Sequence, residues 1–183
     1  MNDSYVNISE QRSEGLDLNI RYNREFSFGD LQLNGRFSHI LDWTTRTFGD
    51  SEDEPIVGQI GEPDFVGQVS ARFDRGDWTG FWSVDLVGET DNVPFFNPAT
   101  NQGTFLGQPV WFERSTDFYT SHNMSVRRTF DDLTVQVGIR NVFNQTPPLV
   151  GASNGSTRIG NTPLASQYDW QGRSLTFNVT KRF

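Results

Sequence analysis

The chain has 183 residues, no cysteine and a formal net charge of −8. That charge leaves no basic face for nucleic-acid phosphates, and the lack of cysteine excludes disulfides and thiolate metal sites. Hydrophobic residues make up only 34% while aromatics reach 14%, a mixture that suits a wall one residue thick better than a packed interior.

In chain order the sequence is a succession of period-two segments. It opens on Met1-Asn2-Asp3-Ser4, which has neither the basic start nor the apolar core of a signal peptide. Leu16, Leu18, Ile20 and Tyr22 alternate with Asp17, Asn19, Arg21 and Asn23. After a short turn near Ser27–Asp30, Leu31, Leu33, Gly35, Phe37 and Leu41 alternate with Gln32, Asn34, Arg36, Ser38 and Asp42. A long polar link near Thr44–Asp64 carries the acidic run Ser51-Glu52-Asp53-Glu54, which lacks calcium-loop spacing and reads as a solvated loop. Phe65, Gly67, Val69, Ala71 and Phe73 then alternate with Gln68, Ser70 and Arg72. A short turn near Asp74–Asp77 leads to Trp82, Val84 and Leu86 against Ser83, Asp85 and Glu89. The second long link, near Thr90–Thr116, precedes His122, Met124 and Val126, which alternate with Ser121, Asn123, Ser125 and Arg127. Past Asp131–Asp132, Leu133, Val135, Val137 and Ile139 alternate with Thr134, Gln136, Gly138 and Arg140. The third long link runs near Asn144–Gln171, and the last strand sets Leu175, Phe177, Val179 and Phe183 against Ser174, Thr176, Asn178, Thr180 and Arg182. The exceptions are His39 on an apolar face, and Ile40, Phe81 and Val87 on polar faces.

No helical period competes, and no apolar run approaches the roughly 18 residues of a spanning helix. The links alternate strictly between short and long. This predicts an all-β, antiparallel meander of about seven long strands, part of a large transmembrane β-barrel with every long loop on one side. The alternative is a soluble β-sandwich, such as a carbohydrate-binding module, which would send long loops to both ends and pack its apolar faces on each other. In the barrel, Arg21, Arg36, Arg72, Arg127 and Arg140 cannot face lipid without a large penalty, so they are expected to face a wet lumen. Aromatics at strand ends, among them Tyr22, Phe26, Trp78, Phe118 and Phe130, suit interfacial girdles.

Two segments carry a family resemblance. Val137-Gly138-Ile139-Arg140-Asn141-Val142-Phe143-Asn144-Gln145-Thr146-Pro147-Pro148 resembles the penultimate strand of TonB-dependent receptors, with its Asn-Leu-Phe-Asn/Asp segment and Pro pair. Tyr168-Asp169-Trp170-Gln171-Gly172-Arg173 and the final alternating strand resemble the same family's C-terminus, and Glu14-Gly15-Leu16-Asp17-Leu18 is similar to an earlier barrel strand. Lys181 departs from the pattern, standing where an aromatic or aliphatic residue is usual. The resemblance implies a barrel of about twenty-two strands around a plug. Residues 1–183 would then be the C-terminal portion of that barrel, without plug or earlier strands. It also implies partners: outer-membrane lipid, the TonB energy-transducing complex acting through the missing plug, the barrel-assembly machinery, and a scarce small-molecule nutrient such as a siderophore, vitamin or oligosaccharide. The assembly signal it implies is Phe177, Val179 and Phe183 in the last strand.

No constellation for catalysis stands out. His39 and His122 lie far apart, and no Gly-x-Ser-x-Gly occurs. Neither an enzymatic activity nor a cofactor is expected. Aromatics in or beside the long links, Trp43, Phe95, Phe96, Trp111 and Trp170, are the expected contacts for a nutrient, since rings among Asn, Gln and Asp suit sugars or aromatic chelators.

Overall fold

The computed structural model describes residues 10–48, 51–92, 102–151, 162–164 and 167–183. Seven long strands form one antiparallel sheet: β1 (Glu10–Phe26), β2 (Gly29–Arg46), β3 (Phe65–Arg75), β4 (Trp78–Val87), β5 (Tyr119–Phe130), β6 (Leu133–Arg140) and β7 (Ser174–Lys181). Each pairs with its neighbour in sequence, so the sheet is a meander whose edges are β1 and β7. Two-residue turns join β1 to β2, β3 to β4 and β5 to β6 at one end, while residues 47–64, 88–118 and 141–173 form the long connections at the other.

Register carries the alternation across the whole sheet. Leu18 faces Phe37, Phe37 faces Gly67, Gly67 faces Leu86, and farther along Met124 faces Ile139 and Ile139 faces Leu175. One face is therefore apolar on every strand and the other polar, because side chains one residue apart point oppositely. No second layer covers the apolar face among the described residues. Leu18, Val126, Val137 and Phe177 are 55%, 50%, 47% and 71% exposed, where a sandwich would bury them. What stands in for a core on this face is contact along the wall itself. The Phe37 ring lies across Gly35 and Gly67, where an added Cβ would sit 2.9 and 2.7 Å from ring carbons. Phe37, Phe65 and Phe118 stack at 6.2 Å steps.

The structure departs from the sequence pattern at the first hairpin. β1 and β2 run 17 and 18 residues, well past the alternating stretch. A register shift between Glu14 and Gly15 pairs Gly15 with Ile40 but Glu14 with Asp42, leaving Leu41 as an extra residue. Beyond this bulge Trp43 pairs with Ser13, which puts it on the polar face, and the apolar face turns charged. There Arg12 lies 3.7 Å from Glu14 and 3.9 Å from Asp42, and Arg46 lies 3.7 Å from Glu10 and 2.7 Å from Asp53. These groups are well exposed, so each pair contributes at most about 1 kcal/mol. The hairpin arm is held by its unbroken backbone ladder.

Candidate functional site

The polar face is organised by two hydrogen-bonded networks. The first crosses four strands toward the long-loop end. Arg36 donates to Gln68 Oε1 at 2.7 Å, Gln68 Nε2 donates to Asp85 Oδ1 at 2.7 Å, and Asn123 Nδ2 donates to Asp85 Oδ2 at 3.1 Å. Asn123 Oδ1 in turn accepts from the Asn141 N–H at 3.1 Å. The second network lies near the short turns. Asp74 accepts from Arg72 at 2.7 and 3.0 Å and from the Thr79 hydroxyl at 2.5 Å, and Arg127 donates to that hydroxyl at 3.1 Å. Period two puts all of these side chains on the polar face, and register pairs Gln68 with Asp85 and sets Asp74, Thr79 and Arg127 on one row, with Asn123 and Arg72 two residues off those rows on the same face.

Asn141 converts β6 into the last long loop. It is fully buried at 0% exposure with φ +48°, a left-handed conformation that Asn tolerates better than most residues. Its side chain donates to Gln145 O and accepts from the Gln145 N–H, both at 2.8 Å. Asn144, also left-handed at φ +54°, accepts from the Arg173 N–H at 2.9 Å. The Asn-Val-Phe-Asn segment is thus a double hinge that folds residues 167–173 back over the polar face. Between the two asparagines, Phe143 turns to the apolar face and meets the His122 ring edge-on at 4.9 Å, while Trp82 Nε1 donates to His122 Nδ1 at 3.2 Å.

The folded-back segment closes a polar pocket of about 270 Å³. Asp85, Ser121, Asn123, Arg140, Gln167 and Asp169 line it beside two tyrosines. Tyr168 packs edge-on against Tyr119 at 4.9 Å, and Val87 completes a small buried cluster beneath them. Val87, the apolar exception of its strand, is therefore on the polar face in order to support this pocket. Arg140 reaches Asp169 at 3.8 Å. With carboxylates, a guanidinium and aromatic walls, the pocket can accept a polar ligand through hydrogen bonds and ring contacts.

The three long loops are tied to one another. The Asp91 N–H donates to Gly58 O at 2.8 Å and the Ile60 N–H to Asn92 Oδ1 at 2.7 Å, joining the first loop to the second. The Gly151 N–H donates to Glu113 O at 2.8 Å, joining the second to the third. Thr116 shares hydrogens with Thr90 at 2.8 Å and with the Tyr168 hydroxyl at 3.5 Å. Asn92 and Thr116 are structural centres that no sequence motif marks; Tyr168 stands in the Tyr-Asp segment, which was legible.

The sequence-derived candidates distribute as follows. Arg21, Arg36, Arg72, Arg127 and Arg140 all fall on the polar face by register. Four of them are engaged as above, whereas Arg21 makes no side-chain hydrogen bond or ion pair among the described residues and borders a shallow hollow shared with Asn34 and Arg36. Trp43 sits within β2 on the polar face, Trp111 is 59% exposed on a small hairpin pairing Gln102–Phe105 with Gln108–Trp111, and Trp170 is 68% exposed. These three are not brought together. Phe95 and Phe96 lie outside the described residues. Phe177 and Val179 pair with Val137 and Val135 on the apolar face, and Phe183 follows with Lys181 Nζ 5.5 Å from its ring. His39 and His122 occupy separate positions at the long-loop end of the apolar face. Among the described residues no three His, Asp or Glu side chains are grouped to hold a metal ion.

A family model described as TonB dependent receptor-like, beta-barrel matches residues 1–142. The match spans β1 to β6 and ends at Val142, so β7 stands on its own alternation and its pairing with β6. No curated protein and no solved structure matches the chain.

Proposed function

The chain belongs to the TonB-dependent receptor-like β-barrel family, and from that premise we propose that it builds part of the wall and outer vestibule of an outer-membrane receptor importing a scarce small-molecule nutrient. The observation that carries this reading is the two-faced sheet with every two-residue turn at one end and every long loop at the other. From Leu16 to Phe26 this face of β1, apolar except for Arg24 next to its end, covers about 33 Å of strand, or about 25 Å of height at barrel tilt, which is the thickness of the band such barrels present to lipid. The charged hairpin arm beyond Leu16 then stands clear of the membrane.

On this reading the polar face lines the lumen. Arg36, Arg72, Arg127 and Arg140 have partners within the wall, while Arg21 is available to hydrogen-bond a plug, through which the TonB complex would act. The pocket at Arg140 and Asp169 lies below the tied loops, on the path a nutrient would follow, with Trp43, Trp111 and Trp170 as rim contacts. Among the described residues β1 and β7 are unpaired edges, and open edges are not tolerated in lipid. We therefore assign the chain to the C-terminal portion of a larger barrel, whose other strands would pair with both edges and whose last strand, through Phe177, Val179 and Phe183, would be read by the assembly machinery. Purification in detergent tests the membrane reading. A heat-dependent shift in gel mobility is the expected result, and a chain that stays monomeric in buffer without detergent contradicts it.

A further inference from the structure

At the short-turn end the apolar face changes chemistry. Within the last two positions of this face on β1, β3, β5 and β7 stand Arg24, Arg75, Arg128 and Lys181, with Phe26 closing β1 and Phe130 closing β5, while the intervening strands bring Leu31, Trp78 and Leu133. Every second strand thus carries a cation near this end; Arg75 and Arg128 flank Trp78 on one register row, about 10 Å apart. The nearby strand carboxylates Glu25, Asp30 and Asp74 pair with one another's strands on the opposite face. Among the described residues Arg24, Arg75 and Arg128 make no ion pair. Among the described residues Lys181 has Asp132 as its ion-pair partner, at 3.8 Å and with both side chains over half exposed.

Rings hold three of these cations, Arg24, Arg128 and Lys181. The Arg128 guanidinium carbon lies 4.8 Å from the Trp78 ring centre and 4.3 Å from that of Phe130, and its Nε is buried without a hydrogen-bond partner. Arg24 lies 5.0 Å above Phe26, which stacks on Phe28 at 5.2 Å. An aromatic ring orients a guanidinium and shields it from water while leaving its N–H groups able to donate. The long-loop end of the same face differs. Leu16, His39, Phe65, Leu86 and His122 stand there, and the cations farther out, Arg12 and Arg46, have carboxylate partners.

We infer that this cation–aromatic rim is a binding stripe for the phosphates of anionic glycerophospholipid in the leaflet at the short-turn side, with Arg128 between Trp78 and Phe130 as its best-formed site. The inference rests on the membrane reading and adds to it a leaflet, a headgroup charge and named residues. On the described strands of this face the cations toward the opposite leaflet, Arg12 and Arg46, already have carboxylates beside them, which disfavours lipid A phosphates there.

The test uses the full chain in mixed micelles holding equal phosphatidylglycerol and phosphatidylcholine, with retained lipid counted by native mass spectrometry. The chain is expected to retain phosphatidylglycerol preferentially. R128Q should lower that retention about fivefold, R128K should keep most of it, and R12Q/R46Q should leave it unchanged. A heat-modifiable chain that holds both lipids equally overturns the inference while leaving the membrane reading intact, as does equal loss in R12Q/R46Q. Better retention of lipid A than of phosphatidylglycerol overturns the leaflet assignment. A chain that is monomeric without detergent overturns both readings together.

Discussion

The two ends of this sheet are built from the same seven strands and have opposite characters. At the short-turn end the strands are joined by two residues each, and what remains is a rim of cations resting on rings, with Arg128 between Trp78 and Phe130. At the long-loop end Arg12, Arg46 and Arg140 have carboxylate partners, and buried asparagines and threonines tie three loops over a pocket. The difference teaches how the fold divides its tasks. A turn of two residues has its geometry fixed by the adjoining ladder and needs no further support. A loop of dozens of residues loses far more conformational freedom on ordering, so it has to be pinned by buried polar groups, and those groups also shape a site.

If that division is right, substitutions at the long-loop end should be the more costly. Asn141→Ala removes two side-chain bonds to Gln145 at a fully buried position and puts alanine, which tolerates left-handed backbone less well than asparagine, at φ +48°. We expect a loss of about 3 kcal/mol in urea unfolding from detergent micelles. A loss under about 1 kcal/mol would mean the hinge is held by something else. Asp85→Ala strips the acceptor shared by Gln68 and Asn123. Because this row is only partly buried, about 1.5 kcal/mol is expected, with weaker protease resistance in residues 167–173. At the other end, Asp131 is left-handed at φ +45° in a two-residue turn. Asp131→Gly should leave stability unchanged or raise it by up to about 1 kcal/mol, and a clear loss would break the comparison. The smallest effect is expected on the hairpin arm. Arg46→Gln should cost under about 1 kcal/mol, and the cost should vanish in molar salt if exposed charge is all that is lost.

How much of this was legible follows from period two. Where one face is apolar, as at Leu133 to Ile139 against Thr134 to Arg140, alternation fixes the strand, its face and its place in the meander. The strict succession of short and long links likewise anticipates which end carries the loops. The pattern fails where both faces are polar. Glu10 to Glu14 and Asp42 to Arg46 show no alternation, so the long first hairpin was invisible, and the bulge that moves Trp43 to the polar face leaves no trace in composition. Single exceptions were equally opaque. Val87 looked misplaced because its partners, Tyr119 and Tyr168, are distant in sequence. The Asn-Val-Phe-Asn segment could be recognised, but its role as a double hinge came only with the φ angles of Asn141 and Asn144.

The central claim is that one face of this wall meets lipid and the other water. Because the chain contains no cysteine, single cysteines can be placed at Val135, Gln136, Val137, Asn178 and Val179 and labelled with a fluorophore in reconstituted membranes. Collisional quenching by a lipid-soluble nitroxide and by a water-soluble ion then reads each position. The account predicts strict alternation: lipid-phase quenching at 135, 137 and 179, and aqueous quenching at 136 and 178. Uniform aqueous quenching at all five positions would contradict it.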